Sequence, residues 1–160
     1  MEVKKITVGI FQTNCYLVKK GNSSFIIDPG DEGERIIEWI EEEGVSPSFI
    51  LNTHAHLDHI GAVPKLAHRY NAPIIGTPFT IELISQQMER EKKFQAKNPL
   101  HIINAGETYQ ITPNIEMEFI RVQHSIPDSV FAVFYTPAGT ILYANDFKID
   151  RTPILDEPSD

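Results

Sequence analysis

The segment Thr53-His54-Ala55-His56-Leu57-Asp58-His59 places three histidines and one aspartate within six positions, directly after the apolar run Phe49–Leu51. Imidazole and carboxylate groups are the ligands that zinc, iron and manganese take up near neutral pH. Two histidines separated by one residue aim both rings at one ion when the backbone is extended or turning. Asp58 and His59 then reach a second ion beside the first. The segment predicts a metal site, and a solvated histidine-rich loop is the much weaker alternative.

The bulk composition is that of an ordinary globular domain. The chain has 160 residues, of which 41% are apolar and 22% are charged, and this length suits one domain with a buried core. No stretch approaches the roughly 18 apolar residues of a membrane span. The N-terminus also lacks the apolar segment and cleavage site of a signal peptide. We therefore expect a cytoplasmic protein that does not associate with a membrane.

The single cysteine and the acidic charge narrow the classes of function. Cys15 is the only cysteine, so an internal disulfide is impossible, and its apolar strand-like surroundings favour a buried, unreactive thiol. The formal net charge of -8 argues against a chain covered by a basic nucleic-acid surface. It does not exclude a nucleic acid as substrate, because bound metal ions would add positive charge at the site itself.

Apolar patterns along the chain predict a layered α/β domain with a largely antiparallel or mixed sheet. The first helix follows Gly30, with Asp31 as its cap and Glu34 three positions on, and ends near Gly44. A second helix runs from about His59 to Tyr70. A third begins at Thr77–Pro78 and ends in the mixed charges of residues 89–93, which are typical of a solvated face or a flexible arm. The predicted strands are Val3–Thr7, Cys15–Lys19, Phe25–Asp28, Phe49–Asn52, Ala72–Gly76, Leu100–Ile103, Thr108–Ile111, Ile115–Val122, Val130–Tyr135 and Thr140–Ala144.

Further candidate ligands lie at strand ends. His124 follows the alternating strand Met117–Val122, and Asp146 follows the strand Ile141–Ala144. A carboxylate in such a position bridges two cations, since each oxygen takes one ion. A lone histidine after a strand is more often structural, but its spacing with the first cluster favours a ligand. Asp28, at the end of the third strand, is expected to orient the histidine loop, with an ordinary turn as a nearly equal alternative.

In this order, Asp28, the 54–59 cluster, His124 and Asp146 resemble the metallo-β-lactamase superfamily over nearly the whole chain. The resemblance implies one domain over residues 1–160, folded as an αββα sandwich with a metal centre at one edge. It implies two ions, with zinc expected and manganese or iron as alternatives. It also implies that His54, His56 and His124 hold one ion, that Asp58 and His59 hold the other, and that Asp146 bridges them.

Two groups of residues indicate which families within the superfamily the chain resembles. Residues 12–18 and 26–30 are similar to glyoxalase II-like hydrolases, whereas residues 124–129 and 146–153 resemble ribonuclease J of the β-CASP group. We prefer the second resemblance because its motifs are longer and less generic. The leading hypothesis is therefore a metal-dependent hydrolase of RNA phosphodiesters. The alternatives are a glyoxalase II-like thioester hydrolase and a non-catalytic metal-binding or interaction module.

The expected chemistry assigns roles to three further side chains. Two metal ions lower the pKa of a bound water, which then attacks phosphorus or a carbonyl carbon. Asp58 is expected to act as the catalytic residue that orients this water or takes its proton. Ser125 and Ser129 are expected to donate hydrogen bonds to phosphate oxygens, and ordinary loop capping is an equally good alternative for both.

The resemblance also implies parts that this sequence does not contain. Both families supply a further histidine to the second ion from the C-terminal part of the domain, and the sequence ends at Asp160. In ribonuclease J, a β-CASP domain and the closing part of the metallo-β-lactamase domain would follow. We therefore expect a fragment, a truncated product, or a minimal form that completes its core by self-association, for which a homodimer is the simplest arrangement.

Overall fold

The computed structural model describes residues 1–91 and 97–160, in which two β-sheets pack face to face. The strands are β1 (Glu2–Val8), β2 (Thr13–Lys20), β3 (Ser23–Ile27), β4 (Ile50–Leu51), β5 (Ile74–Gly76), β6 (Leu100–Ile102), β7 (Thr108–Thr112), β8 (Ile115–Arg121), β9 (Val130–Thr136) and β10 (Gly139–Tyr143). The helices are α1 (Gly33–Glu42), α2 (Leu57–Ile60), α3 (Val63–Tyr70) and α4 (Pro78–Arg90).

The first sheet is mixed and the second is antiparallel. Strands β1 to β6 lie in chain order, with antiparallel pairing from β1 to β3 and parallel pairing from β3 to β6. Each parallel pair needs a crossover, and α1, α2 with α3, and α4 supply the three crossovers in turn. Strands β7 to β10 form a meander in the order β10-β9-β8-β7. The predicted α/β class and the mixed pairing are confirmed.

Successive residues of the central strands face two different cores, because side chains alternate across a strand. One residue of each central strand packs with the helices, and these residues are Ile26, Ile50 and Ile74. The next residue of each strand packs against the second sheet, and these residues are Ile27, Leu51 and Ile75. Helices α1, α3 and α4 all contribute to the first core. In the described part of the chain, all of these helices cover the outer face of the first sheet. No described helix covers the outer face of the second sheet, where an αββα sandwich has its other helical layer.

The predicted helix from His59 to Tyr70 is interrupted at Gly61 and Ala62, where α2 ends before α3 begins. The interruption follows from the close approach of the loop after β3. A Cβ atom on Gly61 would lie 2.3 Å from the carbonyl oxygen of Gly30, and the backbone N–H of Ala62 donates to Pro29 at 3.1 Å. Because this contact joins segments that are distant in the sequence, the apolar pattern of residues 59–70 does not reveal the break.

The predicted capping of α1 by Asp31 and Glu34 is wrong. The N-cap residue is Glu32, which has φ 51°, and no side chain caps the helix. Asp31 instead accepts the N–H of Glu32 at 2.6 Å. The Glu32 carboxylate accepts the N–H of Gly9 at 2.9 Å and therefore ties the start of α1 to the turn between β1 and β2.

Several other expectations are confirmed. Thr77 is the N-cap residue of α4 and Pro78 is its first residue, and Cys15 is fully buried and unpaired. Burial raises the pKa of the Cys15 thiol, which favours its neutral, unreactive form. Of the charged stretch predicted after α4, residues 92 and 93 lie outside the described residues. No helix in the described part of the chain has both the length and the apolar character that a membrane crossing needs.

Gly30 has no room for a side chain beside the segment that carries Asp58. An added Cβ would lie 1.7 Å from the carbonyl oxygen of Asp58. We expect Gly30→Ala to displace this segment and to lower the free energy of unfolding by about 3 kcal/mol. Gly44→Ala is the control, because Gly44 has φ +68° and open space around its Cα, so that only a strain of about 1 kcal/mol applies. Equal losses for the two variants in urea unfolding would contradict this account.

Candidate metal centre

The predicted ligands and Asp28, which was predicted to orient them, come from four separate strand ends and meet at one edge of the two sheets. Asp28 follows β3, the histidine cluster follows β4, His124 follows β8 and Asp146 follows β10. Parallel strands β3 and β4 end at the same edge of their sheet, and the second sheet brings its own strand ends to the same place. The structure thus juxtaposes side chains that are as much as 118 positions apart, since 146 minus 28 is 118.

Three histidines form the tightest part of the cluster. The ring centroids of His54, His56 and His124 are 4.7 to 5.1 Å apart, and their ligand nitrogens all lie within 4.8 Å of one another. His124 Nε2 is 3.1 Å from His56 Nδ1. Nitrogen ligands of one tetrahedral zinc ion are roughly 3.3 Å apart, because each Zn–N bond is about 2.0–2.1 Å. The spacing of these rings fits one shared ion.

The environment of His54 indicates whether these nitrogen donors suit a metal ion. The residue is fully buried, and its Nε2 atom has no hydrogen-bond partner. Its other nitrogen, Nδ1, lies 3.3 Å from Thr53 Oγ1. Burial, reinforced by the neighbouring histidines, lowers the pKa of His54 to about 4, so the ring is neutral at physiological pH. A buried nitrogen without a partner is costly, and a metal ion would satisfy it.

His59 lies among carboxylates. Its Nδ1 is 3.4 Å from Asp28 Oδ2, and its Nε2 is 3.8 Å from Asp58 Oδ2 and 3.6 Å from Asp146 Oδ2. Burial works to lower the pKa of His59, but the contact with Asp28 and the charges of the other carboxylates outweigh it and raise that pKa. The site around His59 therefore favours a positive charge, as a second cation position requires.

Asp28 is a fully buried carboxylate that holds the start of the histidine loop. Its Oδ1 accepts the backbone N–H of Thr53 at 2.9 Å, and its Oδ2 accepts the hydroxyl groups of Thr53 at 2.7 Å and Tyr143 at 3.0 Å. Burial works to raise the pKa of Asp28, yet His59, His54 and Thr53 together lower it. The geometry agrees with the expected orienting role. The carboxylate also lies within 4.8 Å of the ligand atoms of His54 and His59.

Asp58 and Asp146 lie at the open side of the cluster. Asp58 Oδ2 accepts the hydroxyl of Thr13 at 2.8 Å. Burial works to raise the pKa of Asp58, but Thr13 and His59 lower it overall. Asp146 is 57% exposed, and its Oδ2 lies 3.6 Å from His59 Nε2 and 3.9 Å from His124 Nε2. Its carboxylate therefore lies near one ring of each of the two predicted ion positions.

The two candidate substrate-binding serines have different environments. Ser125 is exposed, and its Oγ lies 3.3 Å from His56 Nε2. Ser129 is fully buried, and its hydroxyl donates to the carbonyl of Ile126 at 3.1 Å. The bond of Ser129 within its own loop is the contact that the loop-capping alternative expects, whereas Ser125 lies beside the cluster.

Sequence reasoning missed the polar residues that support the ligands. Thr53 and Asn145 directly precede predicted ligands, and the Asn145 amide donates to Thr53 Oγ1 at 2.5 Å. Asn52 donates to the carbonyl of His59 at 3.0 Å. Adjacency to a ligand is the only sequence signal for Thr53 and Asn145. A cleft of about 260 Å³ opens beside Asp58, His59 and Asp146, and Thr13 and Tyr143 also line it.

We expect the cluster to bind zinc and His54→Ala to weaken that binding by at least about tenfold. The physical reason is that the variant removes the buried nitrogen that lacks a protein partner. His101→Ala is the control, since His101 contacts the ring of Tyr109 on another part of the fold. Competition with a chromophoric chelator measures both affinities, and equal affinities in the two variants would argue against a metal at His54.

Comparison with known proteins agrees with this geometry. The family model described as the metallo-beta-lactamase superfamily matches residues 8–158. Ribonuclease J of Methanocaldococcus jannaschii is 60% identical over 118 residues, which cover 74% of this chain and 26% of that protein. Ribonuclease J2 of Bacillus subtilis is 30% identical over 166 residues, which cover 96% of this chain and 29% of that protein. The chain spans about a quarter of the length of the curated relatives that it matches.

Solved structures show the same fold. The BLEG-1 B3 metallo-beta-lactamase superposes with a TM-score of 0.67 at 24% identity, covering 86% of this chain and 68% of that one. The structure of TTHA1623 in a di-iron-bound form superposes with a TM-score of 0.63 at 26% identity, covering 84% of this chain and 67% of that one. The resemblance noted from residues 28 to 146 is confirmed, and the chain belongs to the metallo-beta-lactamase superfamily.

Proposed function

We propose that this chain is the metal-binding part of a ribonuclease J-like hydrolase that cleaves RNA phosphodiesters. The observation that carries the proposal is the buried His54, whose Nε2 has no protein partner and lies among two other histidines. The substrate class is supported by the relatives, which are named as ribonucleases and reach 60% identity. The motif at residues 124–129 is similar to the same group.

Two zinc ions are proposed, with manganese or iron as alternatives because these ligands suit all three metals. His54, His56 and His124 would hold one ion. Asp58 and His59 would hold the other, with Asp146 between the two and Asp28 orienting His59 and the loop. The di-iron form of a structural relative supports iron as an occupant of this fold. When bound, the ions supply a water of lowered pKa and polarise the phosphodiester.

Side chains of this chain would orient the water, bind the phosphate and hold the histidine loop. Asp58 is held by Thr13 and has a lowered pKa, so it is ionised at neutral pH and is available to orient the attacking water or to take its proton. Ser125 is exposed beside His56, and its hydroxyl is placed to donate a hydrogen bond to a phosphate oxygen. Asp28 is removed from solvent and keeps the histidine loop in place.

The test is cleavage of an end-labelled single-stranded RNA in the presence of zinc or manganese. We expect Asp58→Asn to lower kcat/KM by about 100-fold or more, because the amide still accepts the Thr13 hydroxyl but neither takes a proton nor carries charge. Asp31→Asn is the matched control, since Asp31 lies outside the cluster and contacts the N–H of Glu32. We expect that variant to keep wild-type activity.

A parallel assay on a glutathione thioester separates the alternatives. Hydrolysis of the thioester without cleavage of RNA would overturn the proposed substrate class in favour of the glyoxalase II-like hypothesis. A chain that binds zinc and cleaves neither substrate would support the non-catalytic module.

For assembly we propose a homodimer, and for location the cytoplasm, where RNA substrates are found. The second sheet and the chain that follows it leave large apolar side chains in water, and these are Leu142, Phe147, Ile149, Ile154 and Leu155, with exposures from 55% to 96%. We propose that these side chains pack against a second copy of the chain, because large exposed apolar patches are typical of interaction surfaces.

Light scattering during size-exclusion chromatography tests the assembly. We expect a mass of about twice 18.1 kDa for the wild type, because a dimer removes these side chains from water. The double variant Ile154→Glu and Leu155→Glu is expected to run as a monomer. A wild-type chain that remains monomeric at high concentration would contradict the proposed dimer.

A further inference from the structure

The loop of residues 124–129 carries His124 and Ser125 to the metal centre and closes at its base. The backbone N–H of Val122 donates to the carbonyl of Ser129 at 3.0 Å, and the N–H of Val130 donates to the carbonyl of Thr53 at 3.1 Å. These bonds fix the two ends of the loop. Asp128, which directly precedes Ser129 in this loop, is held by other contacts.

Asp128 joins this loop to the start of α4. Its Oδ2 accepts the backbone N–H of Phe79 at 3.0 Å, and its carbonyl accepts the Thr77 hydroxyl at 2.9 Å. Thr77 occupies the N-cap position but makes no side-chain capping bond of its own. The carboxylate of Asp128, 49 positions away in the sequence, therefore accepts a hydrogen bond from an N–H in the first turn of α4 that has no partner within the helix.

A second contact holds the other side of Asp128. Its backbone N–H donates to Asp156 Oδ2 at 2.8 Å, and the other oxygen of Asp156 accepts from Arg121 at 3.0 Å. Asp128 also has φ 64°, a left-handed conformation that aspartate, asparagine and glycine adopt more readily than other residues. The residue is thus fixed from two directions, and α4 itself is anchored in the core through Ile81 and Ile84.

We infer that Asp128 is a positioning residue of the metal centre. By joining the 124–129 loop to the rigid start of α4, it sets the distance of His124 from His56 and the placement of Ser125. The inference rests on the metal centre of the proposed function, and it does not depend on RNA being the substrate. His124 is half-buried and close to both His56 and Asp146, so a small displacement of its loop changes the geometry of the nitrogen donors.

Two substitutions at one position provide the test. Asp128→Asn and Asp128→Gly both tolerate φ 64°, but only asparagine retains an oxygen that accepts the N–H of Phe79. We expect zinc affinity, measured by chelator competition, to fall by about tenfold in Asp128→Gly. In Asp128→Asn it should stay within about twofold of the wild type. Amide hydrogen exchange in the metal-free protein should be faster over residues 124–129 in the glycine variant alone.

Asn98→Ala controls for a general loss of stability. The buried Asn98 side chain donates to the carbonyl groups of Ala67 and Ala72, at the junction of α3 and β5. This variant should unfold more easily and still bind zinc as the wild type does. The inference is overturned if Asp128→Gly keeps wild-type affinity, or if Asn98→Ala loses as much affinity as Asp128→Gly.

The outcomes for the wild type separate this inference from the proposed function. A wild-type chain that binds zinc but cleaves no RNA overturns the substrate class, and the affinities of the Asp128 variants still decide the positioning role. A wild-type chain that binds no zinc overturns the metal centre and the positioning role together.

Discussion

The buried carboxylate of Asp28 is the constraint on which the site depends. It has no exposed surface, and removing its partners would leave a charge in the interior at a cost of about 3–5 kcal/mol. Its partners come from both sheets, since Thr53 follows β4 in the first sheet and Tyr143 ends β10 in the second. Satisfying this one charge therefore ties the two face-to-face sheets together at the edge where the candidate ligands meet, and the loop of the histidines begins at the same residue, Thr53.

The contact between Asp28 and Thr53 also positions the ring of His54. Thr53 links Asp28 to Asn145 and lies 3.3 Å from His54 Nδ1. His54 Nδ1 also lies 3.0 Å from the amide nitrogen of Asn145, so Thr53 and Asn145 hold this side of the ring and Nε2 is the nitrogen left for a metal. The buried Nε2 without a partner is thus a consequence of how the other side of the ring is held. Unlike this buried support, the candidate ligand Asp146 lies in the open cleft.

The sequence was sufficient for most strands, for the class of fold and for the histidine cluster of residues 54–59, because each carries a local signal, whereas His124 and Asp146 were singled out by their order along the chain. Period-two alternation marks the strands, and the density of histidine between residues 54 and 59 marks the site. Other features depend on contacts between distant segments. The break at Gly61 follows from the approach of Gly30, the start of α1 follows from the contact of Glu32 with Gly9, and the orientation of Ser129 follows from the closure of its loop.

An acidic chain is compatible with an anionic substrate when charge is counted at the site and not over the whole surface. Asp28, Asp58 and Asp146 would present three negative charges in the metal-free site, and these charges would repel a phosphodiester. Two divalent ions would add four positive charges at the same place, so the occupied centre would attract phosphate although the formal net charge of the chain is -8. Substrate attraction and metal binding would then be one property, because the carboxylates that would repel a phosphodiester in the metal-free chain are those that would retain the ions.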